Sequence, residues 1–153
     1  MSVLYWKRDP AALPPPPGPQ ARGKRDILGG ALLDLDAVQA LLWSGNFDLD
    51  ALWFATSGAR LDRDKYRWSS ADVLQMLLAL KGPTKDPSDY MKSEWCEVDG
   101  EVDMRWVACD VYRMHYDLAR GQRNPRGTEL YLKFSVESDG TVAIVVASCH
   151  PSR

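Results

Sequence analysis

The chain has 153 residues, 45% of them hydrophobic and 26% charged, with three cysteines and a formal net charge of −2, which fits one globular domain of ordinary size. No apolar run reaches the ~18–20 residues of a membrane span, and the start lacks the basic–apolar–small order of a signal peptide. Cys96, Cys109 and Cys149 are too few and too widely spaced to suggest a disulfide framework or a zinc site, so a reduced, cytoplasmic protein without metal is expected.

Residues 1–30 hold Pro14 to Pro17, Pro19 and glycines at 18, 23, 29 and 30. Proline fixes φ and removes a donor, so Pro10 to Pro19 should be extended, and 1–30 reads as an N-terminal extension to a single domain over 31–153. Tyr5 and Trp6 are the residues able to pin it to the body.

A first helix should start at Asp34 or Asp36, either a good N-cap, and run to Trp43 with Gly45 as its stop. Val38, Leu41 and Leu42 form its apolar stripe. Leu49 to Thr56 reads as a second, shorter helix burying Trp53 and Phe54. The clearest helix follows, with Ser69 or Ser70 as N-cap, Asp72 in the first turn, an apolar stripe from Val73 to Leu80, and a Lys81-Gly82-Pro83 stop.

Beyond Pro87 the pattern changes to strands. Tyr90 to Glu97 and Glu101 to Tyr116 flank Asp99-Gly100, a type I′ hairpin signal. A Gly-, Pro- and Arg-rich loop covers 117–127. Strands 129–137 and 141–148 meet at a second turn, Ser138-Asp139-Gly140. The expected architecture is α+β: N-terminal helices packed on one face of a four-stranded antiparallel sheet, the other face open.

In strand 129–136, Leu130, Leu132, Phe134 and Val136 alternate with Glu129, Tyr131, Lys133 and Ser135. Successive strand side chains point to opposite faces, so Tyr131 and Lys133 share the open one. The same parity groups Cys109, Val111 and Arg113, with Tyr112 and Trp106 opposite. Charge is polarised too. Val111 to Ser135 carries five Lys/Arg against two acids, whereas 88–103 has only Lys92 against six acids. A cationic, phenolic sheet face suits a phosphodiester.

Three motifs in this order, Asp89-Tyr-Met-Lys-Ser93, Trp106-Val-Ala-Cys-Asp-Val-Tyr-Arg113 and Leu130-Tyr-Leu-Lys-Phe-Ser-Val136, resemble the motility quorum-sensing regulator (MqsR) toxins. These are ribosome-independent mRNA interferases with a RelE/YoeB-like fold. The likeness spans roughly 35–148. It implies catalytic roles for Lys92 and Tyr131, with Cys109 standing where the family has a glutamine and Arg113 on the same face able to take over part of that role. It further implies an mRNA substrate cut by 2′-hydroxyl attack without metal, and an antitoxin encoded by an adjacent gene. Lys133, Arg120, Arg123 and Arg126 are the expected RNA contacts. His150, just after the last strand, is a further candidate because related toxins use a histidine there.

Other readings are open for the same residues. Exposed cations on antiparallel strands commonly serve solubility and cross-strand pairing. A thiol cannot replace both donor and acceptor of an amide, and the strand position of Cys109 also fits a small core or site-lining residue. A non-catalytic RNA- or protein-binding module on the same scaffold is the alternative function.

Overall fold

A computed structural model describes residues 5–16, 25–137 and 144–151. Ten elements frame it: β1 (Asp26–Ile27), α1 (Leu35–Trp43), β2 (Leu52–Phe54), α2 (Ser57–Tyr66), α3 (Ser70–Ala79), β3 (Tyr90–Val98), β4 (Arg105–Asp117), β5 (Gln122–Arg123), β6 (Thr128–Val136) and β7 (Ile144–Pro151). The α+β class is as expected. The four-strand count is not: seven strands form one mixed sheet among the described residues, in the order β1-β3-β4-β6-β7-β2, with β5 beside β4. The four long strands, β3, β4, β6 and β7, form the antiparallel middle. Short β1 and β2 flank it, and β2 runs parallel to β7.

Local chemistry explains the helix ends. Asp34 caps α1 by accepting from the Ala37 N–H at 3.2 Å. Ser69 and Asp72 form a reciprocal capping box on α3, satisfying two of its orphan donors. The far end of α3 is closed by another helix, since the Gln39 amide of α1 donates to the carbonyls of Leu77 (3.0 Å) and Leu80 (2.8 Å). α2 was not foreseen. Among the described side chains only Ala59 of this helix is buried, so no apolar stripe announces it. The helix expected over 49–56 is instead a 3-10 turn, Leu49–Ala51, followed by β2. Phe54 is buried as expected and Trp53 only partly.

The core lies between the helices and one sheet face. Leu130, Leu132, Phe134 and Val136 are buried there with Tyr112 and Met114 of β4, against Val38 and Leu42 of α1 and Val73, Met76 and Leu77 of α3. Parts of the extension expected over 1–30 join this body. Trp6 is buried and bridges to Leu33, Asp34 N–H donates to the Tyr5 carbonyl at 2.8 Å, and β1 pairs with β3. Pro10–Ala12 is a 3-10 turn capped by Asp9 rather than extended chain.

The Asp99-Gly100 turn also differs from expectation. The strands pair only up to Val98 and Arg105, leaving a six-residue connection over 99–104. Asp99 N–H donates to the Ala55 carbonyl at 2.8 Å and its carboxylate meets Arg60 at 2.7 Å, so tertiary partners take the groups a tight turn would have used. The second expected turn, 138–140, lies outside the described residues.

Candidate functional site

Strand register builds the open face row by row. Arg113 of β4, Tyr131 of β6 and His150 of β7 are direct cross-strand neighbours. On one side the next row is His115 and Glu129. On the other it is Lys92, Val111, Lys133 and Ser148. Beyond that, Cys109 faces Glu94.

Two β-bulges set this arrangement. Met91 is the extra residue between the Tyr90–Tyr112 and Lys92–Val111 pairs, and Ala147 the extra one between Phe134–Val146 and Lys133–Ser148. With unbroken period-2 alternation, Lys92 would share the face of Tyr90, and His150 that of Ile144 and Val146, which are core residues. Each bulge inverts the parity. A bulge re-aims side chains in this way, often beside functional sites, and here it brings a lysine and a histidine onto the face of Tyr131.

The central row is tightly organised. The Tyr131 ring stacks on His150 with centroids 5.5 Å apart, and its hydroxyl donates to Glu129 Oε1 at 3.0 Å. Arg113 Nη1 lies 4.0 Å from the same carboxylate oxygen, and His115 Nε2 4.0 Å from the other. The Tyr131 phenol, and after it Glu129, raise the Arg113 pKa further, keeping the guanidinium charged. His150 Nδ1 is 2.8 Å from the Pro151 carbonyl. A carbonyl only accepts, so this contact assigns the ring proton to Nδ1 and leaves Nε2 as the acceptor of the neutral ring.

Glu94 dominates the neighbouring row. It accepts from Lys133 Nζ at 2.8 Å and pairs with Lys92 at 3.5 Å; Lys92 also meets Asp26 at 3.6 Å. Burial pushes the Glu94 carboxyl up, but the hydrogen bond and charge of Lys133, then Lys92, outweigh it and hold the pKa below the usual value. Burial pulls Lys133 down, and Glu94 reverses that to a net rise.

The sign of the pH dependence follows. Glu94 binds its proton more weakly when folded, so its contribution is present above the unfolded carboxylate pKa and is lost as pH falls through the lower folded value. Lys133 keeps its contribution below the unfolded lysine pKa and loses it as pH rises through the higher folded value. Glu94→Gln should therefore cost about 1–2 kcal/mol at neutral pH. Urea unfolding at pH 7 and below pH 3 checks this, and the difference between variant and parent should shrink at the acid end.

Other expected residues stand elsewhere. Cys109 has no exposed surface and its thiol is held well above its ordinary pKa, first by the hydrogen bond with Cys96, then by burial. The thiol lies beneath the surface, turned to the Val107 carbonyl at 3.7 Å. Arg123 is committed to structure, gripping Asp89 through both guanidinium nitrogens and reaching the Ala79 carbonyl at 3.1 Å. Arg120 is exposed, 3.8 Å from Asp117. Arg126 is exposed on the connection from β5 to β6. Beside the central row, a cleft of about 440 Å³ opens between Lys81, Asp89, Arg113, His115 and Arg123.

Glu94 and His115 are site-face residues that sequence reasoning missed. The signal for Glu94 was its place two residues beyond Lys92 on one strand. Among the described residues, no group of three or more His, Cys, Asp or Glu is placed to hold a metal ion, and no helix is long and apolar enough to cross a membrane. No protein-family model, no curated protein and no solved structure matches this chain.

Proposed function

We propose that the chain is a metal-independent endoribonuclease that cuts single-stranded mRNA in the cytoplasm, the toxin of a toxin–antitoxin pair. The observation that carries this reading is the single row of Arg113, Tyr131 and His150 across three strands, bordered by Lys133 and Lys92. The motif order that resembles the MqsR toxins supports the same activity.

The row holds each group the reaction needs. His150 Nε2 takes the 2′-hydroxyl proton as that oxygen attacks the adjacent phosphorus. The bond to the 5′-oxygen breaks as Tyr131 donates its phenolic proton to it. Arg113 grips a non-bridging oxygen and stabilises both the developing charge and the transient phenolate. Lys92 and Lys133 add positive charge along the strand path once phosphate competes with Glu94. The products are a 2′,3′-cyclic phosphate and a 5′-hydroxyl; the proton on His150 returns to Tyr131 through solvent.

Induced expression of this chain alone tests the reading, with growth and RNA integrity followed together. Growth arrest with loss of mRNA is the expected result. An antitoxin encoded beside this gene should cover the open face and rescue growth on co-expression. Absence of any neighbouring product that binds and rescues would remove the partner.

A second reading, a non-catalytic RNA- or protein-binding module, is favoured by one observation. Glu94 engages both lysines, and Glu129 lies against both Arg113 and His115, so the face is internally neutralised. Healthy cells with intact RNA would select it.

A further inference from the structure

We infer that a second pocket, between the α2–α3 turn and the β4–β5 loop, binds one nucleotide of the RNA strand, its base against Tyr66 and Trp68 and its phosphate on Arg67 and Arg120. For the class of ligand, this rests on reading the open face as an RNA site.

The pocket measures about 420 Å³ and is lined by Tyr66, Arg67, Trp68, Gln75, Tyr116 and Arg120, among others. Its wall is aromatic: the Tyr66 and Trp68 rings stack with centroids 4.8 Å apart at 22°. Stacking platforms of this kind accept any base, because every base has a π-face. Arg67 and Arg120 are both exposed at the rim, and Gln75 presents an exposed amide able to read a base edge. Tyr116 is 1% exposed and lines the same pocket.

Arg67 is the telling residue. It ends α2 in the left-handed region, φ 56° and ψ 39°, where glycine is the usual occupant because a Cβ is strained there. Its neighbours fix the conformation, with the Trp68 N–H donating to the Arg63 carbonyl at 3.0 Å. A long cation at a site that favours glycine forfeits stability and sets an exposed guanidinium at the rim of the pocket.

The pocket also lies along a path from the central row. Arg113 to Asp117 is four residues of β4, ~13 Å at ~3.3 Å per residue, and the β4–β5 loop that carries Arg120 follows. Tyr116 of the pocket points to the helix side and Arg113 and His115 to the open face, so a strand held at Arg113 reaches the pocket by turning over the β4–β5 loop, and the nucleotide bound there would flank the cleaved bond.

Arg67→Gly separates function from structure, because it removes the cation and relieves the backbone. Calorimetric titration of the whole protein with AMP, GMP, CMP and UMP should show saturable binding of at least one, weakened about tenfold in Arg67→Gly, the loss of one charged phosphate contact. The same variant should melt ~2–4 °C higher. Tyr131→Phe should bind the nucleotide as the parent does. Equal affinity in Arg67→Gly, or no binding by the parent, overturns the pocket. Nucleotide binding without RNA cleavage would leave the pocket and remove the ribonuclease. Cleavage that is unchanged in Arg67→Gly, without nucleotide binding, would do the reverse.

Discussion

Tyr131→Phe should lower RNA cleavage by ~10²-fold or more while leaving the melting temperature within about 2 °C of the parent. The substitution removes one oxygen. That hydroxyl lies on the open face, where its hydrogen bond is to Glu129 and not to the core. The ring, its stack on His150 and the strand alternation all remain. Arg113→Ala should produce a loss of similar size, since it deletes the cation beside the phenol at a side chain about half exposed. If both variants cleave at the parent's rate, the row of Arg113, Tyr131 and His150 is not the active centre. Single-turnover rates on a labelled single-stranded RNA, with thermal melts on the same preparations, make the distinction.

The largest loss of stability should come from the other face of the sheet. Asp110 has no exposed surface, yet its carboxylate accepts from the Leu32 N–H at 3.0 Å, the Leu33 N–H at 3.0 Å and the Ser93 hydroxyl at 2.6 Å. It thereby fastens the segment before α1 to the middle of β3 and β4. Asp110→Ala strands the two buried N–H donors of Leu32 and Leu33 and takes one acceptor from Ser93, whose hydroxyl keeps Tyr90 and the Gly30 carbonyl. The cost should be about 3–5 kcal/mol, or roughly 6–20 °C in melting temperature. Burial raises the Asp110 pKa, against the pull of those three donors. A carboxyl with a raised folded pKa binds its proton more tightly in the native state, so its contribution to stability falls as pH rises from the unfolded value to the folded one. Asp110 and Glu94 therefore respond to acid in opposite directions and in different windows. A loss under about 1 kcal/mol in Asp110→Ala would show that the segment before α1 does not depend on this carboxylate.

Local chemistry made much of the fold legible. The caps and the alternation of β6 are decided within a few residues of chain: β6 alternates as expected, and the caps are Asp34 and Ser69, one from each of the two pairs the sequence offers. What escaped depends on distant partners. β1 has only two residues and exists because β3 offers an edge; β2 has three, too few for a period to be read. α2, Ser-Gly-Ala-Arg-Leu-Asp-Arg-Asp-Lys-Tyr, leaves Leu61 exposed, so its pattern has no buried stripe. Asp99-Gly100 carried a correct local signal, which the Ala55 carbonyl and Arg60 overrode.

The site was legible in part for the same reason. Tyr131, Lys133 and Arg113 follow from parity within uninterrupted strand segments. Lys92 and His150 reach that face only through the bulges at Met91 and Ala147, whose positions come from pairing and not from composition. Cys109 follows parity too. Its burial comes from the small apolar cluster it forms with Ala55, Val98 and Val145, which closes one end of the open face.

On the proposed reading, this face cleaves RNA with the chain's own side chains. Purified protein incubated with a single-stranded RNA in excess EDTA tests it most directly, with product ends identified by mass. Cleavage in EDTA giving 2′,3′-cyclic phosphate and 5′-hydroxyl ends, lost in Tyr131→Phe, is the expected result. No cleavage, or cleavage that appears only when Mg²⁺ or Mn²⁺ is restored, would contradict it.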